Sequence, residues 1–128
     1  MPNHKYCIAN WKMNFTISMA ENFIHNWESK AFTNSSVKTV ICPSFTELHK
    51  VGELLNGSDT ELGAQNISCE KKGAYTGEIS CGQLREIGCK WVIVGHSERR
   101  WIMGESDENV ALKVHHALKE GFVTILCI

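Results

Sequence analysis

A histidine at position 96 is the first candidate for chemistry in this chain. The apolar run at residues 91–95 leads directly into His96 and Ser97, and charged residues occupy positions 98–100. An apolar run that ends on such residues is typical of a buried strand that reaches the catalytic rim of an α/β enzyme. Ser97 would cap a helix beside the imidazole, and a helix N-terminus disfavours added positive charge, which favours a neutral general acid at His96. The alternative is a core or cap histidine satisfied by a neighbouring carbonyl.

A lysine and an asparagine form a second candidate site near the start of the chain. Residues 6–9 are a short apolar run that predicts a buried strand, and Asn-Trp-Lys-Met-Asn follows at residues 10–14. Side chains two residues apart at the end of a strand can point the same way. Lys12 would supply a fixed positive charge, and Asn10 an amide that both donates and accepts. The alternative is a surface lysine beside a turn asparagine.

Five apolar runs alternate with helical patterns and would position both candidate sites at strand ends. The predicted strands are residues 6–9, 37–42, 60–65, 91–95 and 123–128. The alternation predicts βαβ units and a parallel sheet. Residues 80–83 (Ser-Cys-Gly-Gln) predict a capping box at the start of a short helix. Apolar stripes at helical spacing are interpreted as core packing and comprise Met19, Phe23, Ile24 and Trp27, then Leu48, Val51, Leu54 and Leu55, and finally Val110, Val114, Ala117 and Leu118.

Composition excludes several classes of partner. The 13 Lys and Arg residues against 14 Asp and Glu give a formal net charge of -1, so we predict neither nucleic acid nor an anionic membrane as a partner. No apolar run approaches the roughly 18 residues of a membrane span, and the first residues lack the apolar core of a signal peptide. We therefore expect a cytoplasmic protein. Reduced cysteines fit that compartment, and Cys7, Cys42 and Cys127 are predicted to be buried thiols within strands. The six histidines show no metal-binding spacing, so no metal site is predicted.

Three segments resemble the active-site loops of the triosephosphate isomerase family. Residues 10–14 resemble its first loop, residues 73–78 (Gly-Ala-Tyr-Thr-Gly-Glu) its third, and residues 94–100 (Val-Gly-His-Ser-Glu-Arg-Arg) its fourth. The resemblance runs from about residue 5 to residue 128. It implies an α/β fold of the (β/α)8 TIM barrel family, which takes about 250 residues. We therefore expect residues 1–128 to be a single partial domain, the N-terminal half of the barrel, with about four βα units and a fifth parallel strand.

The resemblance also implies a reaction. The family interconverts dihydroxyacetone phosphate and D-glyceraldehyde 3-phosphate through an enediolate, in glycolysis and gluconeogenesis, without a metal or organic cofactor. By resemblance, His96 is the neutral electrophile that hydrogen-bonds the carbonyl oxygen and moves protons. Lys12 supplies positive charge near the enediolate and phosphate, and Asn10 orients the substrate. Glu98 resembles the carboxylate that supports Lys12, whereas the alternative is a first-turn carboxylate that complements the helix dipole.

The third loop carries the expectation of a homodimer. In the family this loop inserts into the neighbouring subunit, and Thr76 resembles the tip residue that supports the partner's site around Asn10 and Glu98. A long connection between a strand and a helix is often functional. The alternative is an ordinary surface turn punctuated by glycine.

Two function classes stay open on the sequence. No segment of residues 1–128 resembles the family's catalytic glutamate or its later phosphate-binding loops, so we expect this polypeptide alone to be inactive. It is either one part of a complete isomerase or a truncated, noncatalytic interaction module.

Overall fold

Five parallel strands lie side by side in chain order in a computed structural model that describes residues 4–28 and 36–128. The strands are β1 (Lys5–Asn10), β2 (Val37–Cys42), β3 (Thr60–Ala64), β4 (Trp91–Val94) and β5 (Val123–Leu126). The helices are α1 (Ile17–Glu28), α2 (Phe45–Leu54), α3 (Cys81–Glu86), α4 (Ser97–Trp101) and α5 (Asp107–Lys119). The predicted half barrel is confirmed, and the strand bounds differ from the predicted ones by at most two residues.

The strand register brings the carboxyl ends of the strands to one rim. Asn10 at the end of β1 pairs with Cys42 at the end of β2, and Val94 at the end of β4 pairs with Leu126 at the end of β5. Parallel strands in this register place the residues that follow them on the same side of the sheet. The loops after β1 and β4, which carry the two candidate sites, therefore share that rim.

The two faces of the sheet bury different sets of residues. Alternate residues such as Val92 and Val94 are fully buried against the helices. The intervening residues pack on the inner face of the half barrel in a second cluster that includes Val40, Trp91 and Ile93. Burying each of these side chains stabilises the fold by about 1.5–3 kcal/mol. The alternation explains why most strands are apolar throughout.

The inner face is incompletely covered at the edge of the sheet. Tyr6 on β1 packs edge-on against Trp91, with ring centroids 5.6 Å apart, yet Tyr6 remains 55% exposed and Ile8 38% exposed. Within the described chain, β1 and β5 each pair with a strand on one side only. Two strand edges are thus free for pairing.

The outer face beside β5 forms an apolar groove. One residue of the core stripe predicted for α5 lines this groove and is not buried. The groove has a volume of about 460 Å³. Val110 and Ala117 are buried as predicted, whereas Leu118 is 59% exposed because it lines this groove with Leu126 and Ile128. Met19 and Phe23 on α1 are likewise exposed, at 48% and 37%. On α5 the buried face instead includes polar residues, among them Lys113.

The cysteines also depart from the prediction. Cys42 is fully buried, and burial raises the pKa of its thiol to about 12. Cys89 on the helix side is also buried, with its pKa raised to about 12 by the same cause. Cys7 is exposed, which contradicts the prediction, because β1 is an edge strand. Cys127 is only half-buried.

The predicted capping box is confirmed at the start of α3. Ser80 Oγ accepts a hydrogen bond from the main-chain nitrogen of Gln83 at 3.3 Å. Gln83 Oε1 accepts one from the main-chain nitrogen of Ser80 at 2.9 Å. These two bonds satisfy donors that a helix N-terminus otherwise leaves free.

Candidate functional site

The structure joins four predicted site residues at the carboxyl rim of the sheet. Asn10 ends β1, Lys12 follows two residues later, and His96 and Glu98 follow β4. Lys12 Nζ donates to Glu98 Oε1 at 2.6 Å, which links the first and fourth strand–helix loops. A continuous set of contacts then runs from Asn10 through Lys12 and Glu98 to His96.

Lys12 adopts a left-handed backbone conformation that its neighbours hold in place. Its φ is 54°, and its main-chain nitrogen donates to Asn10 Oδ1 at 3.0 Å. Left-handed backbone costs a residue with a Cβ atom about 1–2 kcal/mol. Such strain is found where the surrounding structure fixes a functional side chain. Because Oδ1 of Asn10 faces the loop, its amide nitrogen is left to donate.

Gln65 holds the same loop against the sheet, and this role was not predicted from the sequence. Its Nε2 donates to the carbonyl oxygens of Lys12 at 2.8 Å and of Cys42 at 2.9 Å. One amide therefore bridges the ends of three neighbouring strands. The available signal was a polar residue directly after the apolar end of β3, on the rim that Asn10 and His96 share.

Glu98 serves as the anchor of the Lys12 ammonium. The hydrogen bond from Lys12 lowers the pKa of the Glu98 carboxyl, so that this carboxylate is ionised. Both side chains are about half exposed, at 49% for Lys12 and 44% for Glu98. Exposed ion pairs add little to stability. The pair therefore matters chiefly for where it places Nζ.

His96 itself caps α4, which corrects the expectation that Ser97 is the cap. His96 Nδ1 accepts a hydrogen bond from the main-chain nitrogen of Glu98 at 3.2 Å. A nitrogen that accepts carries no proton, so this bond places the proton of a neutral ring on Nε2. The same Nδ1 lies 3.4 Å from Glu98 Oε2. The side chain is 23% exposed. The cap thus favours the tautomer that carries its proton on Nε2.

A buried ion cluster supports the segment between α4 and α5. Glu105 Oε2 accepts from Arg99 Nε at 2.9 Å and from Lys113 Nζ at 2.8 Å, and Lys113 also donates to Asn66 Oδ1 at 2.9 Å. Burial alone would raise the pKa of Glu105, but the hydrogen bonds from Lys113 and Arg99 lower it below its usual value. This cluster ties α4 to α5 and to the loop after β3.

Thr76 lies in a projecting loop, apart from the other predicted site residues. The loop spans residues 65–80, and positions 71–78 are all exposed. Tight turns shape its end, with the main-chain nitrogen of Glu78 donating to the carbonyl of Tyr75 at 3.0 Å. Within residues 4–28 and 36–128, the Thr76 side chain has no hydrogen bond to Asn10 or Glu98. The structure leaves the tip available to another molecule.

Three large apolar side chains that lie near Lys12 or Glu98 in sequence are strongly exposed. Met13 is 94% exposed, Trp101 on α4 is 86% exposed, and Ile102 is 73% exposed. Exposed apolar side chains mark an interaction surface where they form one contiguous patch.

Residues 4–28 and 36–128 contain neither a membrane-spanning helix nor a cluster of metal ligands. No helix there is long and apolar enough to cross a membrane. No group of three or more histidine, cysteine, aspartate or glutamate residues there is placed to hold a metal ion.

Comparison with known proteins gives one consistent result. A sequence model of triosephosphate isomerase matches residues 5–128. The triosephosphate isomerase of Aquifex aeolicus is 48% identical over 120 residues, which cover 94% of this chain and 49% of that protein. That of Endomicrobium trichonymphae is 46% identical over 120 residues (94% and 48%), and that of Gloeothece citriformis is 48% identical over 121 residues (94% and 50%). The chain spans about half the length of the curated relatives it matches.

Proposed function

Because the chain belongs to the triosephosphate isomerase family, we propose that it supplies the substrate-activating half of an enzyme that interconverts dihydroxyacetone phosphate and D-glyceraldehyde 3-phosphate. In this proposal Lys12 and His96 are catalytic residues, Asn10 and Lys12 bind the substrate, and Glu98 supports Lys12. The observation that carries it is the shared anchor at Glu98, whose carboxylate holds Lys12 Nζ and whose main-chain nitrogen holds His96 Nδ1.

The proposed chemistry follows from charge that develops on the substrate oxygen. Removal of the proton next to a carbonyl gives an enediolate, and its negative oxygen must be stabilised by donors that are already in place. His96 offers Nε2–H, and Lys12 offers a fixed positive charge on the same rim. The Asn10 amide nitrogen would orient the substrate between them. The reaction as proposed uses no metal or organic cofactor.

Glu98 is poorly suited to act as the base. The hydrogen bond from Lys12 lowers the pKa of Glu98 and occupies one of its oxygens. A proton abstracted from carbon needs a more basic, unpaired carboxylate. We therefore expect the polypeptide of residues 1–128 alone to show no isomerase turnover above background.

A chimera tests the proposal directly. Residues 1–128 are joined to the remaining half of the Aquifex aeolicus relative, and activity is followed in a coupled assay. His96→Ala should lower turnover by at least about 10²–10³-fold, because a preorganised donor is lost. Lys12→Ala should lower kcat and raise KM, because its charge also binds the phosphate. Lys50→Ala is the matched control, since Lys50 pairs with Glu21 and Glu53 on the helix side.

The size of these effects tests the roles proposed for His96 and Lys12. A change in kcat/KM of less than about fivefold for either variant would contradict the role assigned to that residue. An inactive parent chimera with a native sheet would instead favour the second candidate, a noncatalytic interaction module. The specific observation in favour of that candidate is the apolar groove beside β5 together with the exposed inner face at β1.

We also propose a homodimer in which the third loop of one subunit reaches the first and fourth loops of its partner. Thr76 at the exposed tip would support the partner's site, and the exposed Met13, Trp101 and Ile102 would receive the loop. Trp101→Lys should weaken dimerisation of the chimera in sedimentation, whereas Leu112→Lys on α5 should not. A cytoplasmic location is proposed with this function.

A further inference from the structure

Arg100 connects the ends of two neighbouring strands from within the α4 helix. Its Nε donates to the carbonyl oxygen of Gly95 at 2.6 Å, and its Nη2 donates to the carbonyl oxygen of Cys127 at 3.1 Å. Its Nη1 is hydrogen-bonded to Asp107 at the start of α5. The side chain is 22% exposed. One planar guanidinium thus contacts the residue after β4, the residue after β5 and the next helix.

Gly95 is shaped for this contact. Its φ is +72°, and a Cβ atom there would lie 2.8 Å from Arg100 Nη2 and 2.9 Å from Val110 Cγ1. A side chain at Gly95 would therefore displace the guanidinium as well as strain the backbone. Because the carbonyl of Gly95 belongs to the peptide that leads into His96, the Arg100 bond fixes the orientation of that peptide.

We propose that Arg100 is a positioning residue for His96, holding the strand-to-helix turn so that Nδ1 caps α4 and Nε2–H faces the rim. This inference rests on the proposed function only in that the Nε2–H of His96 would donate to the substrate oxygen. The cap depends on the angle between the end of β4 and the first turn of α4. Arg100 sets that angle by binding the Gly95 carbonyl and by anchoring on Cys127 and Asp107.

Arg99 provides a contrast within the same helix. It carries the same guanidinium one residue earlier, but its Nε bonds Glu105 in the ion cluster between α4 and α5. Removing Arg99 disturbs the support of α4 without touching the Gly95 carbonyl. Arg100 and Arg99 therefore separate a positioning effect on His96 from a general loosening of the helix.

The imidazole nitrogens of His96 report the predicted effect without any measurement of activity. Long-range proton–nitrogen spectra of the ¹⁵N-labelled chimera should show His96 as a single Nε2–H tautomer, assigned by its loss in His96→Asn. In Arg100→Lys the ammonium cannot span three acceptors, so the two ring nitrogens should move toward the average of exchanging tautomers. Exchange of the Glu98 amide proton should become about tenfold faster. Arg99→Lys should leave both readouts unchanged, and the exposed His49 ring serves as the internal reference.

Each outcome decides the proposal. A folded Arg100→Lys chimera that keeps the His96 tautomer and the Glu98 exchange rate overturns it, and so does an equal change in Arg99→Lys. Should Arg100→Lys lack a native amide spectrum, Asp107→Asn removes the charged anchor of the same guanidinium at an exposed position. Faster exchange of the Glu98 amide in that variant supports the proposal, and an unchanged rate overturns it. Since no isomerase assay enters, failure of the proposed function would be seen separately in the activity of the chimera.

Discussion

We expect the polypeptide of residues 1–128 to self-associate through the groove beside β5, and Leu118→Lys to weaken that association. Complete burial of a leucine side chain contributes about 2 kcal/mol. Leu118 is 59% exposed, so a covering molecule would gain about 1 kcal/mol from this residue. In a symmetric dimer the gain counts twice, and its loss corresponds to about a 30-fold rise in Kd. Placing an ammonium in the groove adds a desolvation cost.

Leu112→Lys is the matched control for this prediction. Leu112 lies on the same helix and is 56% exposed, but it does not line the groove. Sedimentation velocity over a range of concentrations, with ANS fluorescence in parallel, measures both variants against the parent. We expect the parent to associate or to bind the dye, because β1 and β5 also present free strand edges. A monodisperse parent that unfolds cooperatively and binds no dye would refute the reasoning, as would equal effects of the two substitutions.

Three further predictions concern stability and are tested by urea unfolding of the chimera. Lys12→Gly should be more stable than Lys12→Ala by about 0.5–1 kcal/mol, because glycine avoids the left-handed penalty that outweighs its larger unfolded-state entropy; the reverse order would show that the loop is not strained. Ser80→Ala should cost about 1 kcal/mol by removing the capping box, whereas Ser97→Ala should stay within about 0.5 kcal/mol, and equal losses would restore Ser97 as a cap. Ionised Glu105 stabilises the fold above the usual pKa of a glutamate, about 4.3, and this contribution is lost as the pH falls through the lowered pKa of Glu105. The free energy of unfolding of Glu105→Gln should therefore depend less on pH at the acid side than that of Glu108→Gln. Parallel curves for the two variants would exclude this contribution.

The sheet could be predicted because its strands are covered on both faces. Runs such as residues 91–95 are apolar throughout, and their regular alternation with helices leaves few arrangements other than parallel βαβ units. Exposure of individual residues could not be predicted in the same way. Leu118 and Cys7 have the residue types of a core, but one lines a groove and the other lies on an edge strand. Both depend on which neighbours are present, and a local pattern does not contain that information.

The candidate site divides along similar lines. Asn10, Lys12 and His96 could be placed at one rim because each follows a predicted strand. The identity of the α4 cap could not be predicted, because serine is a more usual N-cap residue than histidine. Only the fold shows that His96 Nδ1 accepts a hydrogen bond from the main-chain nitrogen of Glu98. The contacts of Gln65 and Arg100 were also beyond the sequence, because each joins carbonyls from separate strands. Main-chain carbonyls leave no trace in residue type.

Because some thiols are exposed and others are buried, the rates at which the cysteines are alkylated would report how often the fold opens. An alkylating reagent must reach the sulfur atom, and Cys7 is exposed to it in the folded chain. Cys42 and Cys89 have their pKa raised to about 12 by burial, so they react only in molecules whose sheet has separated from its helices or its inner layer. The modification rate at Cys42 would report openings of the inner layer, and the rate at Cys89 would report openings on the helix side. A series of mass spectra taken during alkylation would therefore order the opening of the two faces without any substitution in the chain.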